Sequence, residues 1–418
     1  MTELAVELYG QTVGRLSGSD WRRFDFEAAG SAIERFGLGS LVLSASVPLV
    51  PFGSRSHVGR RRNFFAELLP EGDLLTDLAA QARLPEYDVL GLLAHYGRDV
   101  AGALQIYDPA APGEPRAPFA TPIDASAISR LLQSPDALPL GNDLATGKTS
   151  LNGVQPKVVL ARIDDRWHRV HDGFPSTHIL KPEVARYPTM IFDEEYGARI
   201  ARALGLAEYA TWIEEYGDIR ALVIERYDRS ADAPTGRVHQ EDMCQALGVP
   251  RTQKYQEQGG AATLDRILTV VKSQADPASI ERLATTVVLA VAIGNVDLHA
   301  KNLALLHPFA QPAVLAPAYD TVPLRHQPND GRMAFAVNGV YRHADLTIDD
   351  LEQHLGTWGS AAGALVRPTL ERIAAMIQSE QPHPAAYGGL RRDLTGFVTN
   401  LLAGESVGDP ASGSGPRY

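Results

Sequence analysis

Residues 285–294 read TTVVLAVAIG and close a longer helical pattern, IERLATTVVLAVAIGN. The run is strongly apolar, yet far too short to span a bilayer. It predicts a helix packed inside a globular chain. The bulk composition agrees. The 418 residues are 44% hydrophobic and 21% charged, enough for a sizeable core in two or three domains, without the signature of disorder. The N-terminus, MTELAVELYG, lacks the basic-then-apolar pattern of a signal peptide. The single cysteine, Cys244, rules out an internal disulfide and a cysteine-built zinc site, and it fits a reducing cytoplasm. A net charge of −11 argues against a nucleic-acid footprint over the whole surface. The densest basic run, Arg60-Arg61-Arg62, reads first as a solvated loop.

Along the chain, residues 1–110 mix strand-like runs (LAVELYGQTVGRL, SLVLSASVPL, ALQIYD) with helical ones (FFAELLPEGDLLTDLAAQAR, VLGLLAHYG). Residues 108–123 carry five prolines, and Pro can neither vary φ nor donate to a ladder, so a linker is expected there. A second unit is expected over 124–230. It has strands at KVVLARID, STHILKP and ALVIERYD, and a helix FDEEYGARIARALGL, where Phe192, Tyr196, Ile200 and Leu204 recur every four residues. Residues 231–400 turn helical. The end of the chain, 404–418, is rich in Gly, Ser and Pro and reads as a disordered tail. A mixed α+β lobe followed by a helical one is the layout of a two-lobed kinase-like fold.

Residues 147–150, GKTS, look like the tail of a phosphate-binding P-loop. The spacing is wrong, because five residues separate Gly141 from Gly147 where that pattern needs four. The preceding SPDALPLG is no buried strand. A better site begins at AIGNVDLHAKN, 292–302. Asp297 precedes Asn302 by five positions, the spacing of a kinase catalytic loop, in which the Asp accepts the substrate hydroxyl proton and the Asn holds magnesium. Downstream, the strand candidate VLAPAYD delivers Asp320, a second acid suited to magnesium. Upstream, Lys181 lies on a strand, where a kinase keeps its phosphate-gripping lysine, and Glu195 on the next helix is its expected partner. IERYDR ends a strand, where the backbone of Glu225 and Tyr227 can meet adenine. Before the lysine strand, SLNGVQPK (150–157) sits where a phosphate-covering loop belongs. In it Gly153 permits close backbone approach and Lys157 adds charge.

SLNGVQPK, STHILKP, IERYDR, AIGNVDLHAKN and LAPAYD, in this order, resemble the HipA serine/threonine kinase toxins of bacterial toxin–antitoxin systems. FFAELLPEG resembles a piece of that family's N-terminal subdomain, so the likeness covers nearly the whole chain. The resemblance implies a two-lobed kinase-like fold using ATP and Mg2+. Asp297 would be the catalytic base, Asn302 and Asp320 the metal ligands, and Lys181 the phosphate-binding lysine. Ser150 falls on the autophosphorylated serine, with Thr149 beside it as the other available hydroxyl. Added phosphate there would repel nucleotide. His299 would either steady the transferred phosphoryl group or be structural. The family also implies a helix-turn-helix antitoxin, operator DNA reached through that antitoxin, and a protein target that arrests growth when phosphorylated; aminoacyl-tRNA synthetases are among the family's targets. The alternatives are a small-molecule or lipid kinase on a related fold and a catalytically silent corepressor bound to an antitoxin.

Overall fold

The computed structural model describes residues 2–410 apart from 20–22, 52, 54–56, 115, 144, 152 and 154. The chain forms two compact units that alternate along the sequence. Unit 1 takes residues up to 182, 214–251 and 305–313; unit 2 takes 183–213, 252–304 and the chain from 314 onward. The division therefore differs from the expected blocks at 110, 124 and 231. Strand and helix periodicities are local, whereas a unit is defined by which distant segments bury one another.

Unit 1 is built largely on two sheets. In the first, β1 (Thr2–Leu8), β2 (Gln11–Gly18), β3 (Phe24–Ala28) and β4 (Leu104–Tyr107) run antiparallel in the order β3-β2-β1-β4. Leu4, Val6 and Leu8 alternate inward, the period of a half-buried strand. The helices Val58–Ala66 and Val89–Tyr96 are among the elements packed on this sheet. The expected long helical run from 64 onward is two helices, Val58–Ala66 and Gly72–Ala82, parted near Pro70. The strand expected in SLVLSASVPL does not form. Leu43, Val47 and Leu49 are buried, but the backbone finds a carboxylate instead of a ladder: the Ala45 amide donates to Glu241 Oε1 at 3.0 Å. The Arg60–Arg62 run is helical rather than a solvated loop, and Arg61 is buried against Asp25 at 2.6 Å.

The second sheet contains β5 (Phe119–Pro122), β6 (Val158–Ile163), β7 (Arg166–His171), β8 (His178–Pro182), β9 (Thr211–Tyr216) and β10 (Ile219–Glu225), in the order β5-β7-β6-β8-β10-β9. The three expected strands appear as β6, β8 and β10. The proline-rich stretch is not only a linker, because its end forms β5. That strand lies at the sheet's edge, where proline's missing donor costs nothing.

Unit 2 is built around the helix Ala278–Ile293, buried at every residue from Leu283 to Ile293. The helices Met190–Ala203, Leu264–Gln274, Val366–Ser379 and Leu390–Leu402 pack on it. Among the described residues no helix is long and apolar enough to cross a membrane. Residues 405–409, expected in a disordered tail, are docked. Val407 is buried and its amide donates to Leu346 O at 2.8 Å, while Asp409 pairs with Arg325 at 2.8 Å. Residues 411–418 lie outside the described residues.

His343 is buried in this core, donating from Nε2 to Val291 O at 2.8 Å and standing edge-on to Phe397. Burial pushes its pKa down to about 4. The unfolded chain, with an ordinary value near 6.5, then binds the extra proton between these two values, so stability rises with pH across that window. Acidification from pH 6.5 towards 4 is expected to lower the urea midpoint, with His343 contributing about 1.4 kcal/mol per pH unit. A flatter slope in His343→Gln than in the native protein, measured by urea titration at several pH values, checks this.

Candidate active site

The helix Ala278–Ile293 ends where the chemistry begins. Gly294 takes a left-handed φ of 66°, and the amides of Gly294 and Asn295 return to Val291 O and Ala290 O. This is a Schellman closure, which favours glycine because the conformation strains any side chain. The chain then reverses through Asn295 and Val296 to Asp297. Val296 O accepts from the Ala334 amide at 2.9 Å and Gly294 O from the Leu324 amide at 3.0 Å, so the turn is tied down on two sides.

Asp297 caps its own loop. Its carbonyl oxygen accepts from the His299 amide at 2.8 Å and from Asn302 Nδ2 at 2.9 Å. The second bond orients the Asn302 amide and leaves its carbonyl Oδ1, an oxygen that could accept a cation. The Asp297 carboxylate accepts a 2.7 Å hydrogen bond from Tyr255 Oη at Oδ1. Asp297 and Tyr255 both line an open pocket of about 570 Å3, together with Glu257, Gln327, Asp330 and Arg332. His299 is buried and edge-on to Tyr255, with ring centroids 5.2 Å apart. Burial, with Lys254 nearby, pushes its pKa down to about 3, so the ring is neutral at physiological pH. A neutral, buried imidazole favours the structural reading of His299.

Asp320 does not sit at a strand end as expected. The strand stops at Leu315, with Pro317 following, and Asp320 stands five residues on with a left-handed φ of 55°. Such a conformation in a non-glycine residue is strained and persists where its surroundings impose it. They do so here: Ala318 bonds to Leu206 and Tyr209, Tyr319 Oη donates to Lys301 O at 2.7 Å, and Asp320 O accepts from Asn295 Nδ2. Gly197, in the helix Met190–Ala203, allows the closest approach. A Cβ there would lie 1.9 Å from Thr321 O. Asp320 and Asn302 together offer one carboxylate and one amide oxygen, a hard-oxygen set that fits Mg2+ completed by phosphate oxygens and water. Among the described residues no group of three or more His, Cys, Asp or Glu is placed to hold a metal. Glu195, on the helix Met190–Ala203, pairs with Arg199 one turn on at 3.0 Å, and Arg199 also pairs with Glu380.

Unit 1 carries the remaining expected residues. Lys181 is buried in β8, opposite Leu222 of β10. Glu225 ends β10 exposed, and Tyr227 Oη donates to Gln240. Gly153 has φ of 105°, and a Cβ on it would lie 2.5 Å from Lys157 Nζ, so the two share one small space. The GKTS stretch follows a turn at 145–146 and pairs Thr149 with Asp99 in a β-bridge. Asn142 brackets Thr149, accepting from its amide at 3.0 Å and donating to its carbonyl at 2.8 Å. Ser150 is fully buried, with Oγ donating to Leu68 O at 2.9 Å and its amide to Asp99 O at 3.0 Å. In this conformation Ser150 is turned away from solvent.

Asp99 belongs to a buried charge cluster that no sequence pattern announces. Its carboxylate meets Arg229 at 2.9 Å, Arg237 at 3.8 Å and Ser176 Oγ at 2.6 Å, and it accepts from Thr149 Oγ1 at 3.3 Å. Arg226 forks onto Asp228 at 3.0 and 2.8 Å. Burial alone would raise the Asp99 carboxyl, but Arg229, Arg226 and Arg237 outweigh it and hold it below the usual carboxylate range.

Comparison with known proteins shows the family. Residues 4–107 match the family model of the HipA N-terminal domain, and residues 149–381 match that of the HipA-like C-terminal domain. The Y4mE protein of Sinorhizobium fredii, named as a candidate kinase, is 33% identical over 350 residues, covering 81% of each chain. The serine/threonine-protein kinase toxin HipA of Shewanella oneidensis is 25% identical, over 80% of this chain and 79% of its own. A solved structure of the Shewanella toxin–antitoxin system, HipA with HipB and operator DNA, superposes with a TM-score of 0.76 at 22% identity over 96% of both chains. Fold and site define a kinase-like α+β protein. The chain belongs to the HipA family.

Two outcomes test the packing. Asp99→Asn leaves three buried guanidiniums facing one carboxylate and is expected to cost about 3–5 kcal/mol in urea unfolding, with faster hydrogen exchange at the Ser150 amide. Gly197→Ala is expected to cost about 1–3 kcal/mol by overpacking against Thr321.

Proposed function

We propose that this chain is a serine/threonine-protein kinase toxin that transfers the γ-phosphoryl group of ATP, with Mg2+, to a protein hydroxyl. The observation that carries the reading is the Asp297 loop: a carboxylate facing an open pocket, and an asparagine five residues on whose amide is turned by a bond to Asp297 O. Asp297 accepts the proton of the acceptor hydroxyl as its oxygen bonds to the γ-phosphorus. The bond from that phosphorus to the β–γ bridging oxygen breaks, and ADP leaves. Asn302 and Asp320 hold the metal, which when bound neutralises charge on the phosphates. Lys181 and Lys157 supply positive charge to the nucleotide phosphates, Gly153 lets the backbone approach them, and the backbone of Glu225 and Tyr227 meets adenine.

Family membership supports the toxin role, and with it growth arrest in the cytoplasm and persistence. The Shewanella complex supports a helix-turn-helix antitoxin as partner, with operator DNA reached through it. An aminoacyl-tRNA synthetase is the proposed type of target. Self-phosphorylation at Ser150, or at Thr149 beside it, is the proposed off-switch. Because Ser150 is fully buried, the loop must leave its seat on Leu68 and Asp99 for the hydroxyl to react. Incubation with Mg2+-ATP followed by intact-mass measurement and site mapping is expected to show phosphate on Ser150 or Thr149, forming at only a slow residual rate in Asp297→Asn. An unmodified protein that gains no phosphate and binds no ATP would overturn the reading.

A further inference from the structure

The expected catalytic residues all come from recognisable motifs. One residue that touches Asp297 does not. Tyr255 lies 42 residues before it, in a segment of bends and turns, and donates its phenolic hydrogen to Asp297 Oδ1 at 2.7 Å. The same short segment grips the loop twice more. Lys254 O accepts from the Ala300 amide at 3.2 Å, and the Tyr255 ring stands edge-on to His299. Gln256, next in sequence, donates its amide to Ala334 O at 3.0 Å, and Ala334 donates to Val296 O. Residues 254–256 thus brace the loop from the flank, through backbone at both ends and a side chain in the middle.

A carboxylate has two oxygens that can trade places by rotation about the Cβ–Cγ bond. A proton donor fixed on one of them stops that exchange and holds the carboxylate in one orientation. We propose that Tyr255 is a positioning residue for phosphoryl transfer: by holding Oδ1 of Asp297 it fixes the orientation in which the carboxylate meets the acceptor hydroxyl, and the pocket lined by both residues is where that hydroxyl enters. The inference rests on the kinase reading of Asp297. Orientation of this kind acts on the chemical step, since a near-attack geometry is lost when the accepting oxygen wanders. Nucleotide affinity is expected to be spared, because the hydroxyl that Tyr255→Phe removes is the one bonded to the base.

The test uses the full chain and its own proposed acceptor. Native protein, Tyr255→Phe, Asp297→Asn and the double variant are each incubated with Mg2+-ATP, and phosphate incorporation is followed by intact mass while nucleotide affinity is measured by calorimetry. Tyr255→Phe keeps the ring against His299 and removes only the hydroxyl. Its transfer rate at saturating ATP is expected to fall about ten- to a hundred-fold, with ATP affinity within about twofold of native. In the Asp297→Asn background the same change is expected to have no further effect, a coupling that a merely structural role would not produce. A Tyr255→Phe variant with the native rate, or one that loses rate equally in both backgrounds, overturns the proposal while the kinase reading stands. Native protein that neither binds ATP nor transfers phosphate overturns both.

Discussion

Unit 2 depends on one helix that has no exposed face through its second half. Ala278–Ile293 is buried from Leu283 onward, so other elements must surround it, and the helices Met190–Ala203, Val366–Ser379 and Leu390–Leu402 do. A helix hydrophobic all round belongs at the centre of a core. Its C-terminal end therefore opens inside the protein, where unpaired carbonyls are costly. Gly294 closes that end, and the chain it releases is the loop bearing Asp297 and Asn302. The polar loop is anchored because it continues a helix buried along its last eleven residues.

Unit 1 reaches rigidity by a different route. Its 148–150 segment is held less by apolar packing than by Asp99, whose backbone ties Lys148 and Ser150 and whose carboxylate reaches Thr149 and the arginines. Buried ion networks stabilise little compared with a well-packed apolar core, and removing one partner from them is expensive. The proposed phosphorylation of Ser150 would require breaking these contacts.

Much of the site was legible in the sequence because its motifs are local. Asp297 and Asn302 lie in one turn, and their five-residue spacing survives into a hydrogen bond between them. Strands β6, β8 and β10 and the helices of unit 2 follow from periodicity. Where reading failed, the deciding partner was distant. SLVLSASVPL has strand composition, yet Glu241, 196 residues away from Ala45, satisfies its backbone. Asp99 and Arg229 are 130 residues apart, and Tyr255 carries no motif at all.

The sequence by itself determined the element types, the order of the kinase-like motifs and the family, since each rests on periodicity or on residues a few positions apart. Tertiary structure decided which segments share a unit, that Asp320 adopts a left-handed backbone, that Ser150 is sealed and that Tyr255 holds Asp297. Those outcomes depend on burial, and burial is a property of surfaces brought together from remote parts of the chain. A carboxylate or a phenol reads the same in sequence whether it meets water or a partner; only packing removes the water and makes the partner matter.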